Sequence, residues 1–365
     1  MTTVSNLYAA LDARFPFHRA ESWDKVGLLV GHKNASASRA LVCYEVTDAA
    51  LDLAQERECD AVVAYHPLIF RPLDRLDFSD RTARLCARLI RAKQNLICVH
   101  TALDGAAPPN ALGDALARQL GLEGALVHKA SGTQKLSQLV YFVPESHLDQ
   151  TREAAWKAGA GAIGQYDEAS FSVSGQGTFR PREGAHPSAG QIGERSQTGE
   201  WRVEVLVPSE KAQDVLSAIK ATHLYEEVAY FLTALQNEDC NQRYGPLRLA
   251  PVPNATLPVW VERAKISLNV PSVRVAAPDD RTRYFSVACS PGSGASFISS
   301  LPGGTIFISG DFKHHDALLA KSRGVALIDV THAATETATV EMMAGAIENC
   351  VEVVRETPRN PFDFA

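Results

Sequence analysis

The chain has 365 residues, of which 45% are hydrophobic and 21% charged, with a formal net charge of −6. That balance suits a globular protein of two or three units, and no stretch approaches the roughly 18 uninterrupted apolar residues a membrane span needs. An acidic excess without clustered Lys and Arg argues against nucleic acid as a partner, because such binding is driven by neutralising phosphates. The start, Met1 to Tyr8, lacks a basic region followed by an apolar core, so the expected compartment is the cytoplasm. The seven cysteines are odd in number, scattered and without a Cys-x-x-Cys pair, and are expected to be buried free thiols.

Apolar spacing predicts a short amphipathic helix over 3–14, a strand at 40–46, and a helix opening at Thr47-Asp48 and running to about residue 58. The run from Asp60 to Phe70 carries a buried strand out into a loop broken by Pro67. A second helix near 82–92 leads to a strand at 95–100 and the loop Thr101 to Asp104. Strand and helix alternate, which implies a sheet with helices on its faces, and in such sheets functional groups gather where strands end. His66, His100 and Asp104 stand at such ends. Each also has a plainer reading: a carbonyl-bonded imidazole, a core imidazole, and a cap for a helix near Asn110.

From about Gly132 the style changes. A strand at 135–144, a helix to about 158, glycine-rich hairpin segments at 159–164 and 171–180, a strand at 200–208, a helix near 210–222 and the segment 225–230 read as a compact α+β unit. The stretch 181–198, rich in Gly, Ser and Pro, reads as a loop.

After Asn237 the α/β style returns. A strand at 284–289 runs into the glycine-rich Ser290 to Ser296, read as a tight structural turn before an apolar helix, since it lacks the Lys-Ser/Thr of a phosphate-binding loop. The strand 305–310 ends in Asp311-Phe312-Lys313-His314-His315-Asp316, where Asp311 is expected to cap a helix and His314 or His315 to orient ligands from behind. The strand 324–330 ends in Thr331-His332-Ala333-Ala334-Thr335-Glu336 and opens a helix expected to run to about Glu348. A His and a Glu four residues apart are usually a solvated face. Here the pair stands at a strand end, one helical turn apart, where imidazole and carboxylate can hold one ion together. With His66, His100 and Asp104 they supply the mixed N/O donors that suit zinc, iron or manganese.

Taken in order, the segments Glu21 to Leu28, Tyr65 to Phe70, His100 to Asp104, Gly310 to Asp316 and His332 to Glu336 resemble the motifs of the Nif-three-like family, also known as GTP cyclohydrolase I type 2 homologues. The resemblance covers nearly the full chain. Through Gly175 to Arg180 and His223 to Ala229, the middle unit is similar to the PII-like domain inserted in longer members. The resemblance implies an α/β fold of two related lobes, 1–130 and 237–365, facing a site for two divalent metal ions. It places an α+β, PII-like (ferredoxin-like) insert at 131–236. By position it implies His66, Asp104, His332 and Glu336 as metal ligands, with Asp104 or Glu336 bridging the ions. His100 and His315 would be neighbouring proton carriers, and Tyr65 and His314 further ligands or supports. A homo-oligomeric, hexameric ring is implied as well.

One departure stands out. Where many bacterial members read His-His-Pro, this chain has Tyr65-His66-Pro67, as another branch of the family does. A phenol with a free pKa of about 10 is a poor ligand unless a metal deprotonates it, so one of the two ions is expected to be weakly held or absent. The function so implied is a metal-dependent, cyclohydrolase-like hydrolase in which a metal-bound hydroxide attacks an unknown nucleotide or cyclic amide. The alternative is a non-enzymatic metal-binding regulatory or scaffold protein acting through protein partners.

Overall fold

The computed structural model describes residues 2–128, 132–164, 166–279, 283–357 and 360–362; the side chains of 132–134 and 238–243, Cys240 among them, lie outside that description. The chain divides into two compact units, residues 1–132 with 244–365, and residues 133–243. The expected boundary at 130 lies outside the described residues, and position 236 falls inside a strand that continues to Tyr244.

In chain order the strands are β1 (Gly27–Val30), β2 (Arg39–Cys43), β3 (Ala61–Ala64), β4 (Asn95–Cys98) and β5 (Leu126–Val127). Then come β6 (Gly132–Val143), β7 (Phe171–Phe179), β8 (Ser196–Pro208) and β9 (Tyr230–Tyr244). The last are β10 (Arg248–Ala255), β11 (Arg274–Ala276), β12 (Tyr284–Ser293), β13 (Thr305–Gly310), β14 (Ala326–Asp329) and β15 (Glu352–Arg355). The first unit holds two sheets, ordered β1-β4-β3-β2-β15 and β11-β14-β13-β12-β10-β5. At the heart of each, β2, β3 and β4, and β12, β13 and β14, run parallel. This is the α/β architecture that the alternating pattern implies.

Parallel strands need crossover connections, and helices Asp48–Glu56 and Arg81–Arg91 make two of them. Their starts are fixed by side-chain caps. The Thr47 hydroxyl accepts from the Ala50 N–H at 3.0 Å and the Asp80 carboxylate from that of Ala83 at 2.8 Å, each worth about 1 kcal/mol. Every residue of β3, β4, β13 and β14 is buried, which is why these strands read as unbroken apolar runs and not as alternating ones. The chain's last strand, β15, pairs with β2 of the first sheet although the helix leading to it follows β14 of the second. That helix, Thr339–Ile347, buries Val340, Met343 and Ile347 against Val4, Leu7 and Leu11, so the chain's two ends lock the first sheet.

Several local expectations change. The helix from His332 is a single turn, His332–Thr335; it breaks at Glu336 and resumes at Thr339–Ile347. The cause lies in the threonines, whose hydroxyls bond locally, Thr335 to the His332 carbonyl at 2.6 Å and Thr339 to that of Glu336 at 2.8 Å. Asp311 caps no helix: the one that follows starts at His314, with Asp316 accepting from the Lys313 N–H at 2.8 Å. Ser290 to Ser293 extend β12 instead of forming a turn, and the apolar helix expected next is a short 3-10 segment, Ala295–Ser300. In the segment expected as a hairpin at 159–164, the described residues form no named strand, and Ile163 pairs with Tyr166 in an isolated antiparallel bridge.

The second unit is one sheet, ordered β7-β8-β6-β9, whose β6/β8 and β7/β8 pairs are antiparallel. Helices Leu148–Lys157 and Ala212–Thr222 cover the face that carries Leu139, Tyr141, Val203 and Val205. Among the described residues no helix is long and apolar enough to cross a membrane. Cys43, Cys59, Cys86, Cys98 and Cys289 are buried free thiols, and Cys350 is half-buried.

Candidate metal centre

The parallel strands of both sheets in the first unit end at one place. Tyr44 follows β2, Tyr65 and His66 follow β3, and His100 follows β4; Asp311 follows β13, and His332 and Glu336 follow β14. Three of the turns carry non-glycine residues at positive φ: His100 at 36°, Asp311 at 60° and Thr331 at 73°. Each such residue costs on the order of 1–2 kcal/mol, and this clustering where strands meet is typical of functional sites.

Glu336 is the hub. Its side chain is almost wholly buried, and its Oε2 lies 3.2 Å from His332 Nε2 and 3.7 Å from His66 Nε2. The Tyr44 hydroxyl donates to Oε2 at 2.6 Å and that of Tyr65 to Oε1 at 3.3 Å. Burial pushes the Glu336 carboxyl up, yet His332, His66 and Tyr44 together hold it below the usual range. One ligand atom each from His66, His332 and Glu336 lies within 4.8 Å of the others, a group able to hold a metal ion. Gly292 lies against this group at φ 62°, where a Cβ would stand 2.7 Å from Glu336 Oε1 and 3.3 Å from His332 Nε2. The glycine in the Ser290–Ser296 stretch therefore clears space for the site.

The imidazoles are oriented from behind. His332 Nδ1 meets Asp311 Oδ2 at 2.7 Å, leaving Nε2 toward Glu336. His100 Nδ1 meets the buried Asp24 at 2.8 Å; the other oxygen of Asp24 accepts from the Thr101 hydroxyl at 2.5 Å and its N–H at 3.1 Å. Burial lowers His66 to about 4, so its ring is neutral near pH 7 and both lone-pair and donor chemistry are available. Burial also works on His332, but Glu336 and Asp311 outweigh it and raise the ring to about 9.

Tyr65, His100, Asp104, His332 and Glu336 line a cavity of about 570 Å³ within this unit. Asp104 is half-buried, but its Oδ1 is sealed from solvent and has no hydrogen-bond partner. Burial, then the charge of Glu336, raise its carboxyl well above the usual range. A buried carboxylate oxygen without a donor, facing a second carboxylate, is the environment a cation would relieve. Donor set and orphaned oxygen thus fit a metal. The structure groups His66, His332 and Glu336 closely and sets Asp104 and His100 in the same cavity. His314 and His315 are exposed at the start of their helix, edge-on to each other at 5.3 Å, and line no part of it. Tyr65 is a hydrogen-bond donor to Glu336, and burial keeps its phenol protonated. Sequence reasoning missed Tyr44 and the orienting parts of Asp24 and Asp311; their only signal was placement at or beside strand ends.

The raised His332 ring sets a pH dependence. Its unfolded value is about 6.5, so the stability it contributes to metal-free protein is fully present below that value and is lost as pH rises through about 9. The melting temperature of chelator-treated protein is expected to fall across this window more steeply than that of His332→Gln; parallel curves would refute the pairing with Glu336.

The family model for Duf34/NIF3 (NGG1p interacting factor 3) matches residues 2–360. A Mycobacterium tuberculosis protein named GTP cyclohydrolase 1 type 2 homolog is 32% identical over 338 residues, 91% of this chain and 88% of that one. A Bacillus subtilis protein of the same name is 31% identical over 351 residues, 93% of each. The crystal structure of a Bacillus cereus protein related to NIF3 superposes with a TM-score of 0.86 at 27% identity, covering 100% of this chain and 99% of the other. A full-length family match, relatives above 30% identity and this shared fold agree: the chain belongs to the Duf34/NIF3 family.

Proposed function

We propose that the chain is a metal-dependent hydrolase acting on a nucleotide or cyclic amide, with one divalent ion held by His66, His332 and Glu336 and a second against Asp104. The observation that carries this reading is the sealed, partnerless Asp104 Oδ1 in the cavity that also holds the His332–Glu336 pair. Bound ions would supply Lewis acidity toward water and toward a substrate oxygen. Tyr44 and Tyr65 fix both oxygens of Glu336 by donating to them. Asp24 fixes His100 through Nδ1, so that Nε2 can take a proton from an attacking water and return it to a leaving nitrogen. The β-α-β-β-α-β order of the second unit supports reading it as the PII-like insert.

The test is hydrolysis by protein stripped with chelator and by protein reloaded with zinc, manganese or iron, against a panel of nucleotides and cyclic amides. Turnover is expected only after reloading. Asp24→Asn is expected to keep its metal and lose about tenfold to a hundredfold in turnover, the usual cost of an orienting partner. Bound metal without turnover on any member of the panel would favour the non-enzymatic reading.

A further inference from the structure

Trp23 stands at the rim of the cavity that holds the metal group, which His100, Asp104, His332 and Glu336 also line. It is 53% exposed, although tryptophan is among the side chains a fold usually covers. The backbone around it is fixed. The Asp24 N–H closes a turn on the Glu21 carbonyl at 2.9 Å, and the Glu21 N–H donates to the Thr101 hydroxyl at 3.0 Å. The Asp24 side chain is buried against His100 and Thr101. An indole between two anchored residues is thus held in place without being covered.

Its ring has no stacking partner. Phe70 and His100 meet it at centroid distances of 5.9 and 6.0 Å with the planes inclined by 63° and 75°, and among the described residues no ring lies parallel to it. Phe70 is itself 49% exposed, so the two rings form an apolar patch at the cavity mouth, a feature typical of ligand grooves.

Phe297 and the hydroxyl-bearing Ser293 and Ser296 line the same cavity. Away from the metal group the lining charges cancel, Arg19 against Glu21. What remains is aromatic surface and hydroxyls, which suits an uncharged flat ring with a hydrogen-bonding edge; a saturated ring has no π-face to lay on the indole. At about 570 Å³ the cavity admits such a ring together with the groups attached to it.

We propose that Trp23 positions the substrate by stacking on a planar heteroaromatic ring, and so selects such rings over saturated cyclic amides. This rests on the reading of the cavity as a substrate site and narrows it to ligands with an aromatic base.

The test is calorimetric titration of the metal-reloaded full chain with a matched pair, uridine 5′-monophosphate and dihydrouridine 5′-monophosphate. Both carry the same phosphate, ribose and imide edge, so these cancel in the comparison; only the first has a flat, aromatic ring. The flat ligand is expected to bind at least fivefold more tightly, and Trp23→Ala to weaken it by about fivefold to a hundredfold, the usual range for removing a platform beneath a base. The saturated ligand should be little affected. Trp23→Phe, which keeps an aromatic face, should restore most of the preference. The indole is exposed, so both variants are expected to fold, and elemental analysis should find wild-type metal in each. Equal affinity for the two ligands, no binding of either, or flat-ligand affinity unchanged in Trp23→Ala would overturn the proposal. So would loss of metal in Trp23→Ala, which would make the residue a support of the metal centre. A ring preference without turnover supports the platform and counts against the hydrolase reading alone; turnover indifferent to Trp23 counts against the platform alone.

Discussion

Glu336→Gln is expected to leave the folded protein without the ion held with His66 and His332. The substitution keeps the side chain's shape and leaves an oxygen to accept from the Tyr44 hydroxyl, which stands 2.6 Å from Oε2. What it removes is the only anionic ligand in the group formed with His66 and His332. Two neutral imidazoles and an amide retain a divalent ion poorly, so affinity is expected to fall by more than about a hundredfold, beyond the 10–100-fold cost of losing an orienting partner. Elemental analysis should read at least one ion per chain in the reloaded wild type and the loss of the ion held by His66, His332 and Glu336 in the variant, with hydrolysis lost in parallel. Metal retained at wild-type stoichiometry would exclude this trio as the site. Tyr65→Phe is the contrast: its hydroxyl donates to Glu336 at 3.3 Å, so its loss is expected to spare most of the metal. If Tyr65→Phe lost as much metal as Glu336→Gln, the phenol would have to be a ligand.

How far the sequence foretold this site follows from what kind of signal each residue leaves. His332 and Glu336 were legible because a short-range spacing and an apolar strand before them set their geometry. His66, His100 and Asp104 were legible because a parallel sheet collects its strand ends on one edge. The role of Asp311 was not, because its neighbours in sequence suggested a helix cap, whereas its partner His332 comes from the next strand over, 21 residues away. Tyr44 was hidden for the same reason, bonding to Glu336 across 292 residues of chain. Strand β15 was missed because four residues near the chain end carry little periodicity, and its place beside β2 depends on packing of the preceding helix. His315 shows the reverse: a motif drew attention to a side chain that the helix start turns toward solvent.

Removing the guanidinium of Arg248 is expected to cost the first unit about 3–5 kcal/mol, the usual penalty for stranding one partner of a buried ion pair. Arg248 is fully buried; its Nε donates to Asp114 Oδ1 at 2.5 Å and its Nη1 to the Gly245 carbonyl at 2.6 Å. Asp114 Oδ2 accepts from the Ala111 N–H at 3.1 Å, so this pair ties the start of helix Leu112–Gln119 to β10. In Arg248→Met a carboxylate in an apolar setting loses its counter-ion, and nothing nearby in the described network replaces the charge-assisted bond. With two compact units the chain need not unfold in one step, so calorimetry must follow the transition of the larger unit. For a unit of that size, the loss corresponds to a drop of roughly 10 °C. Arg248→Met/Asp114→Asn should recover at least half of it, since the amide still caps Ala111 without a stranded charge. A drop of less than about 2 °C in the single variant would show that the pair's desolvation cost already cancels its attraction. The ion held by His66, His332 and Glu336 should be kept in either variant, because Arg248 bonds to Asp114 and backbone carbonyls and to none of those three, whereas its charge does act on Asp104; the stability of the unit and the occupancy of that trio are then separable quantities.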